Sequence, residues 1–369
     1  MIKKKKSNKV ANELAQKETV KKETPKKNTA LLKVVEDINK KFGEGAVTLG
    51  LPETMKNGIE RIPTGSFCLD VDLGGGIPVG RIIEISGGFS SGKSTQVMHI
   101  IRNAQEKFGM MTAILDAEGT YTREYFELLN VNPQMCYYSE PDSLEEATQL
   151  ILDLQKSGSI EFAVIDSIAA LAANRVIESG MDESVQMGLA PKLWGEFLSK
   201  FQLNNNGLVR QGKRAVTLIG INQLREKIGA YGDPEYTTGG RAWGFYKSVD
   251  IRFRKGDWIT VGKGDSKEVV GQVTKYKIEK NKTYKRMRTG EFDFYLSQNP
   301  LGVHELYNDN AKEVIILAIE CDVIQKAGAW FKYKEEKYQG LDNLVKALMK
   351  NSSLMQELTE TIKNLVIAP

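Results

Sequence analysis

The chain has 369 residues, 41% hydrophobic and 27% charged, with a formal charge of +4, a profile that fits a globular protein of two or three domains and excludes a fibrous or wholly disordered one. Ten lysines against three glutamates fall in residues 1–27, so the excess charge sits in an N-terminal tail and decides nothing about nucleic acid elsewhere. Cys68, Cys136 and Cys321 lack any C-x-x-C spacing, which argues against a disulfide framework or a zinc site and for a reducing cytoplasm; the longest apolar run, VIILAI at 314–319, is too short to span a bilayer.

Residues 1–28 read as a disordered basic tail broken by Pro25. From Thr29, the residues Leu31, Leu32, Val34, Val35 and Ile38 recur at helical spacing up to a stop at Gly43, so residues 29–60 hold a helix and a linker. Over 61–299, β-branched runs (RIIEIS, MTAILD, FAVID, AVTLIGIN) alternate with helical patterns (TQVMHIIRNAQEKF, SLEEATQLILDLQKS). That alternation predicts an α/β core, a mostly parallel sheet flanked by helices. EVVGQVTKYKIEK and GEFDFYL extend it as an antiparallel pair, and residues 300–369 form a small C-terminal α+β domain with a β piece at AWFKYKEEKY.

GGFSSGKS at 87–94 fits G-x-x-x-x-G-K-[ST] through Gly87, Gly92, Lys93 and Ser94, and lies between the strand RIIEIS and a helix. There, backbone N–H groups and the helix N-terminus surround phosphate oxygens, Lys93 reaches the β- and γ-phosphates, and the Ser94 hydroxyl holds Mg²⁺. Gly88, Ser90, Ser91 and Thr95 complete the cradle. Asp166 closes FAVID, where a carboxylate holds magnesium through water or else caps a helix after the strand. Glu118, just past the strand in ILDAE, is placed to orient and polarise an attacking water. Gln223 comes after AVTLIGIN, an uncharged donor that can bond a γ-phosphate and lose that bond after hydrolysis. Polar, glycine-studded stretches at 178–188 and 223–241 start on this same side of the sheet, where ligands of open α/β sheets bind. KIEKNKTYKRMR at 277–288 is a solvated face, a nucleic-acid contact or half of an active site completed elsewhere.

PTGSFCLDVDLGGGIPVGRIIEISGGFSSGKST, with LDAE, VIDSIAAL, MGLA, INQLREKIG, TTGG, FYKSV, EKNK and KAGAW after it in order, resembles the bacterial RecA-type recombinases over about residues 30 to 365. The resemblance implies an ATP-dependent recombinase that forms a helical filament of itself on single-stranded DNA, pairs it with double-stranded DNA and exchanges strands, with ATP and Mg²⁺ held between subunits. The helix from Thr29 is then a polymerisation element. Glu118 becomes the water-activating base and Tyr125 the aromatic that stacks on adenine. The first DNA loop falls at 178–188, with Met187 wedged between bases and Gly188 and Lys192 near phosphate. The second falls at about 223–238, with Arg225 and Lys227 on the backbone and Gly239, Gly240 and Arg241 at its end. Glu178, Asp182 and Glu183 imply that the first loop works through backbone and apolar contacts. Lys280 and Lys282, alternating on one strand, reach across the subunit interface to the neighbour's γ-phosphate in the place of an arginine finger. Phe89, Thr122, Arg241 and Gly244 depart from the family pattern, and with the basic N-terminus and the ending NLVIAP they suit a divergent, phage-encoded member. A ring-forming helicase motor and a non-catalytic single-strand coat are the alternatives. His99, inside an apolar helix pattern, and the isolated His304 support no Ser/His/Asp site.

Overall fold

The computed structural model describes residues 29–50, 58–173, 188–226, 235–262, 267–297, 303 and 305–367. The chain divides into two units, Met1–Gly58 and Ile59–Pro369. In the first, α1 (Thr29–Phe42) keeps to the apolar spacing and stops before Gly43, whose φ of 94° suits glycine alone. The Asn39 side chain fastens the next turn, donating to Val47 O at 3.1 Å and accepting from Val47 N at 2.9 Å. Leu31 and Val34 stay half exposed.

The second unit begins with β1 (Arg61–Ile62), α2 (Phe67–Leu73) and β2 (Ile77–Pro78), then enters the main sheet at β3 (Ile82–Gly87). There follow α3 (Lys93–Phe108), β4 (Thr112–Asp116), α4 (Arg123–Leu128), β5 (Cys136–Ser139), α5 (Leu144–Ser157), β6 (Phe162–Asp166), α6 (Leu189–Arg210), β7 (Thr217–Glu226), β8 (Glu235–Thr237), α7 (Gly240–Tyr246), β9 (Val249–Val261), β10 (Glu268–Asn281) and β11 (Thr289–Tyr295). The strand order is β11-β10-β9-β3-β7-β6-β4-β5; the stretch from β9 to β5 is parallel, β10 and β11 run antiparallel, and β8 pairs antiparallel with the end of β7. The central strands are apolar on both faces because both are covered. Phe162 and Val164 of β6 join Val97, Ile100 and Ile101 of α3 on one face. Ala163 and Ile165 join Leu144 and Ile151 of α5 and Trp194 and Phe201 of α6 on the other.

The parallel α/β core with its antiparallel extension is the architecture expected from the sequence. The long strand β9 is an addition: VDIRFR alternates buried Val249, Ile251 and Phe253 with the charged Asp250, Arg252 and Arg254, of which Arg254 is exposed, the period-two pattern of a half-buried strand. The stretch after Gln223 also differs from a plain loop, since its stems pair, Leu224 with Thr237 and Glu226 with Glu235.

The C-terminal segment, α8 (Asn310–Glu320), β12 (Gln325–Ala327), β13 (Trp330–Tyr333), β14 (Glu336–Gln339), α9 (Leu341–Lys350) and α10 (Ser352–Val366), has its own apolar cluster around Ile315, Leu344, Leu348 and Leu358. It grips the segment leading into α2. Asn310 accepts from Phe67 N at 2.9 Å and donates to Gly65 O at 2.8 Å, while Glu313 accepts from Ser66 Oγ at 2.8 Å and Cys68 N at 2.7 Å. Burial raises the Glu313 carboxyl from 4.5 to about 8 and the nearby Asp70 carboxyl from 3.8 to about 7, against the hydrogen bonds each accepts. Both hold protons in the fold at pH values where the unfolded chain has released them, so their contribution to stability falls as pH rises from about 4 to about 8. Glu313→Gln keeps an acceptor and removes the titration: thermal melts of wild type should show a steeper loss between about pH 5.5 and 8.5 than melts of the variant, and parallel curves would show Glu313 ionised in the fold.

Candidate nucleotide site and nucleic-acid interface

The loop between β3 and α3 closes tightly on itself and on the sheet. A Cβ at Gly87 would lie 2.6 Å from Ser91 Oγ and 2.7 Å from Phe253 O, and Gly92 takes a φ of 84°, so these two glycines are required by contact and by conformation respectively. Ser91 Oγ donates to Gly88 O at 2.9 Å and Gln272 Nε2 to Ser90 O at 3.4 Å. Gly88 meets nothing within 4 Å at its Cβ position. No side chain caps α3, which leaves the first amides of a sixteen-residue helix facing a cavity of about 360 Å³. That cavity is lined by the loop from Phe89 to Thr95 together with Glu118, Asp166 and Gln223.

The carboxylates and the amide arrive from strand ends. Asp166 Oδ2, at the end of β6, accepts from Ser94 Oγ and from Tyr121 OH, each at 2.7 Å. Its burial raises its pKa, against those two bonds. Lys93 donates to Gly88 O at 2.8 Å, and burial lowers its pKa while Asp166 and Glu118 pull it up. Glu118 Oε1 accepts from Ser167 Oγ at 2.5 Å and from Gln223 Nε2 at 2.9 Å. The segment carrying Glu118 is held by Asp116, 1% exposed, which accepts from the backbone N–H groups of Glu118, Thr120 and Tyr121 at 3.2, 2.7 and 3.0 Å. Uncapped amides, an ammonium, a hydroxyl and a carboxylate converging on one cavity are a donor set that fits a nucleotide phosphate chain with its magnesium.

Thus the fold brings together Gly87, Ser90, Ser91, Gly92, Lys93, Ser94, Thr95, Glu118, Asp166 and Gln223. Tyr125 stands beside them, its hydroxyl bonded to Thr95 Oγ1 at 2.7 Å, but it is not part of the lining. Thr122 accepts from Tyr125 N as the N-cap of α4. His99 is buried and pushed down to about 4, chiefly by that burial, with Nε2 against Leu306 O at 2.7 Å. Met187 and Lys227 lie outside the described residues. Gly188 caps α6; Lys192 pairs at 3.9 Å with Glu196; Arg225 is exposed. Gly239 and Gly240 have packing reasons of their own, since a Cβ would meet Trp243 Cδ1 at 2.7 Å and Pro191 Cβ at 2.8 Å. Arg241 lies in the first turn of α7.

Lys280 and Lys282 sit far from this cavity. Lys280 is opposite Asp250, itself level with Glu84, three residues before Gly87, or about 10 Å along the sheet at about 3.3 Å per residue. Lys282 lies one residue past β10, its N–H still bonded to Ser248 O at 2.9 Å, and the register irregularity of β10 falls before Lys280. The two side chains converge: Lys280 Nζ donates to Gly244 O at 2.7 Å and Lys282 Nζ to Phe245 O at 3.1 Å.

Sequence reading missed Tyr121, Asp116 and Ser167, whose roles arise only from contact, although Ser167 directly follows Asp166. It singled out Lys277 within KIEKNKTYKRMR but missed the rest of a basic face on the antiparallel extension. Lys275 stands opposite Arg254 and Lys277 opposite Arg252, in a shallow depression shared with Glu291. Cross-strand like charges cost stability, and Glu279, at 3.0 Å from Lys277 and 3.7 Å from Arg252, offsets that cost. The signal in the sequence was the i, i+2 spacing of cations in both strands.

A phosphate loop between a parallel strand and a helix, with carboxylates at neighbouring strand ends and an amide at the next, defines a P-loop nucleoside triphosphatase on an α/β sheet. Comparison with known families narrows this: the RecA N-terminal domain matches residues 29–299 and the RecA C-terminal domain residues 312–366. The chain belongs to the RecA family. It is 40% identical to Protein RecA of Porphyromonas gingivalis over 344 residues, covering 92% of this chain and 95% of that one. It is 39% identical to Protein RecA of Cutibacterium acnes over 339 residues, 90% of each chain, and 36% identical to that of Bacillus subtilis over 340 residues, 91% and 92% of the two. Membership makes the chain an ATP-dependent recombinase and implies nucleotide and Mg²⁺ use in general.

Gly87→Ala should cost about 1–3 kcal/mol by overpacking and abolish binding of a fluorescent ATP analogue, whereas Gly88→Ala, with open space at its Cβ, should bind within about twofold of wild type; equal losses would mean that chain freedom rather than contact selects both glycines.

Proposed function

We propose that this recombinase hydrolyses ATP at the junction between two copies and that single-stranded DNA stimulates the reaction by templating those junctions. One observation carries the reading: Lys280 and Lys282 project from the opposite end of the sheet from the phosphate loop of their own chain. A cation pair placed there serves a neighbour's nucleotide and not its own. ATP supplies the scissile phosphoanhydride, with Mg²⁺ held by Ser94 and, through water, Asp166. The loop amides and Lys93 hold the phosphates, and Glu118, oriented by Ser167 and Gln223, takes the proton of the attacking water. The neighbour's Lys280 and Lys282 stabilise the charge that develops on the transferred group. Tyr125, beside Thr95, is the surface on which the adenine stacks.

DNA meets the loops that begin on the nucleotide side, through Met187, Gly188, Lys192, Arg225, Lys227, Gly239, Gly240 and Arg241. The basic face of Arg252, Arg254, Lys275 and Lys277 offers phosphate contacts to a second, double-stranded molecule. The residues from Thr29 to 60 act in polymerisation, 61–299 as the ATPase core, and 300–369 as an appended domain, all in the cytoplasm. Among the described residues no helix is long and apolar enough to cross a membrane.

Lys280→Ala and Glu118→Gln should each lose DNA-stimulated hydrolysis, yet a mixture of the two should regain part of it, because some junctions pair an intact glutamate with an intact lysine. No recovery in filaments shown by electron microscopy to contain both variants would place the lysines in their own subunit's chemistry or outside the reaction. Lys275→Gln with Lys277→Gln should reduce by about two the slope of log affinity for duplex DNA against log salt; an unchanged slope would remove the basic face from the DNA path.

A further inference from the structure

Strands β3, β7 and β9 and the end of α7 share a run of buried polar side chains that phosphate binding does not explain. Glu84 is fully buried within β3, between the apolar residues Ile83 and Ile85. Its Oε2 accepts from Lys247 Nζ at 2.6 Å, and the same ammonium donates to Asp250 Oδ2 at 2.5 Å. Its Oε1 accepts from Asn222 Nδ2 at 2.8 Å. Asn222, fully buried in β7, accepts from the Gln223 backbone N–H at 3.0 Å and from the Thr238 hydroxyl at 2.7 Å, and donates to Thr238 O at 2.9 Å. Gln223 in turn donates to Glu118 at 2.9 Å. Hydrogen bonds thus run from Lys247 through Glu84 and Asn222 to the backbone of Gln223, whose side chain bonds the carboxylate at the cavity.

Charges this deep are costly to bury even when paired, and apolar residues of equal volume are often as stabilising. Stability alone therefore gives no reason for the cluster. Its geometry does, because Asn222 fastens both stems that leave the sheet here: Gln223 on the outgoing strand and Thr238 on the returning one. The far end is placed where a neighbour is to act, since Lys280 and Lys282 hold the carbonyls of Gly244 and Phe245, in the last turn of the helix that Lys247 follows.

We propose that Lys247 and Glu84 are positioning residues that act through Asn222 to aim the Gln223 amide at Glu118. Docking of a neighbour on the Lys280 corner then bears on the anchor of that amide. This rests on the hydrolytic role proposed above for Glu118 and Gln223, and its test separates the two.

In nucleotide-free Lys247→Met, backbone amides of 220–226 and 235–239 should exchange hydrogen at least about tenfold faster than in wild type, as loss of the two charge-assisted bonds of the ammonium predicts. Amides of 87–95 and 310–320 should keep their rates. With saturating single-stranded DNA, kcat for ATP should fall about tenfold with KM within about twofold, and Lys247→Arg should recover most of it. In a Gln223→Ala background, adding Lys247→Met should cost less than about twofold further, because both changes remove one effect. Unchanged exchange, acceleration across the whole chain, or fully additive losses each overturn the proposal. A wild-type protein without DNA-stimulated turnover would overturn the hydrolytic reading, and the exchange measurement would still decide this one.

Discussion

Parallel strand register is the constraint on which the site depends. Asp116 is level with Asp166, Asp166 with Ile221, and Gly87 with Gln223. Four chain segments therefore leave the sheet within two residues of one line, and each delivers its first polar group into the same space. Nothing in the chemistry of a lone lysine or glutamate brings this about. The strands are buried on both faces, so register is set by the fit of their side chains against the covering helices and by the polar residues that end each strand.

The same register explains what was legible in the sequence and what was not. Phosphate-binding residues are contiguous from Gly87 to Ser94 and betray themselves by spacing, and Glu118, Asp166 and Gln223 stand at the ends of apolar runs that any reading of periodicity finds. Tyr121 was invisible because its partner is forty-five residues away, and Asp116 because its task is to hold three backbone amides. The strand β9 and its basic face were open to the period-two alternation of VDIRFR and were still missed. The pairing of Lys280 with Lys282 was legible as a pair, yet their distance from their own phosphate loop emerges only from the antiparallel return of β10 along β9.

The departures from the family pattern acquire physical content in the fold. Thr122 does a helix cap's work where an aspartate would have faced the base. Phe89, 91% exposed, turns its ring toward Lys255, 6.0 Å from the ring centroid, so the mouth of the phosphate loop carries an aromatic surface instead of a negative charge. Gly244 accepts from Lys280 Nζ through its carbonyl at 2.7 Å, and a Cβ there would meet nothing within 4 Å.

Gly239 and Gly240 change how any mutational map of this protein should be interpreted. Both left-handed residues press against Trp243 and Pro191, and Gly220 in turn leaves room for the Trp243 ring, 2.5 Å from where its own Cβ would be. A scan that replaces these glycines would register impaired recombination whether or not either one ever meets a nucleotide base. Crowding against the indole at Gly239 and against Pro191 at Gly240, together with the strain of any side chain in the left-handed region at both, would then pass for sequence recognition.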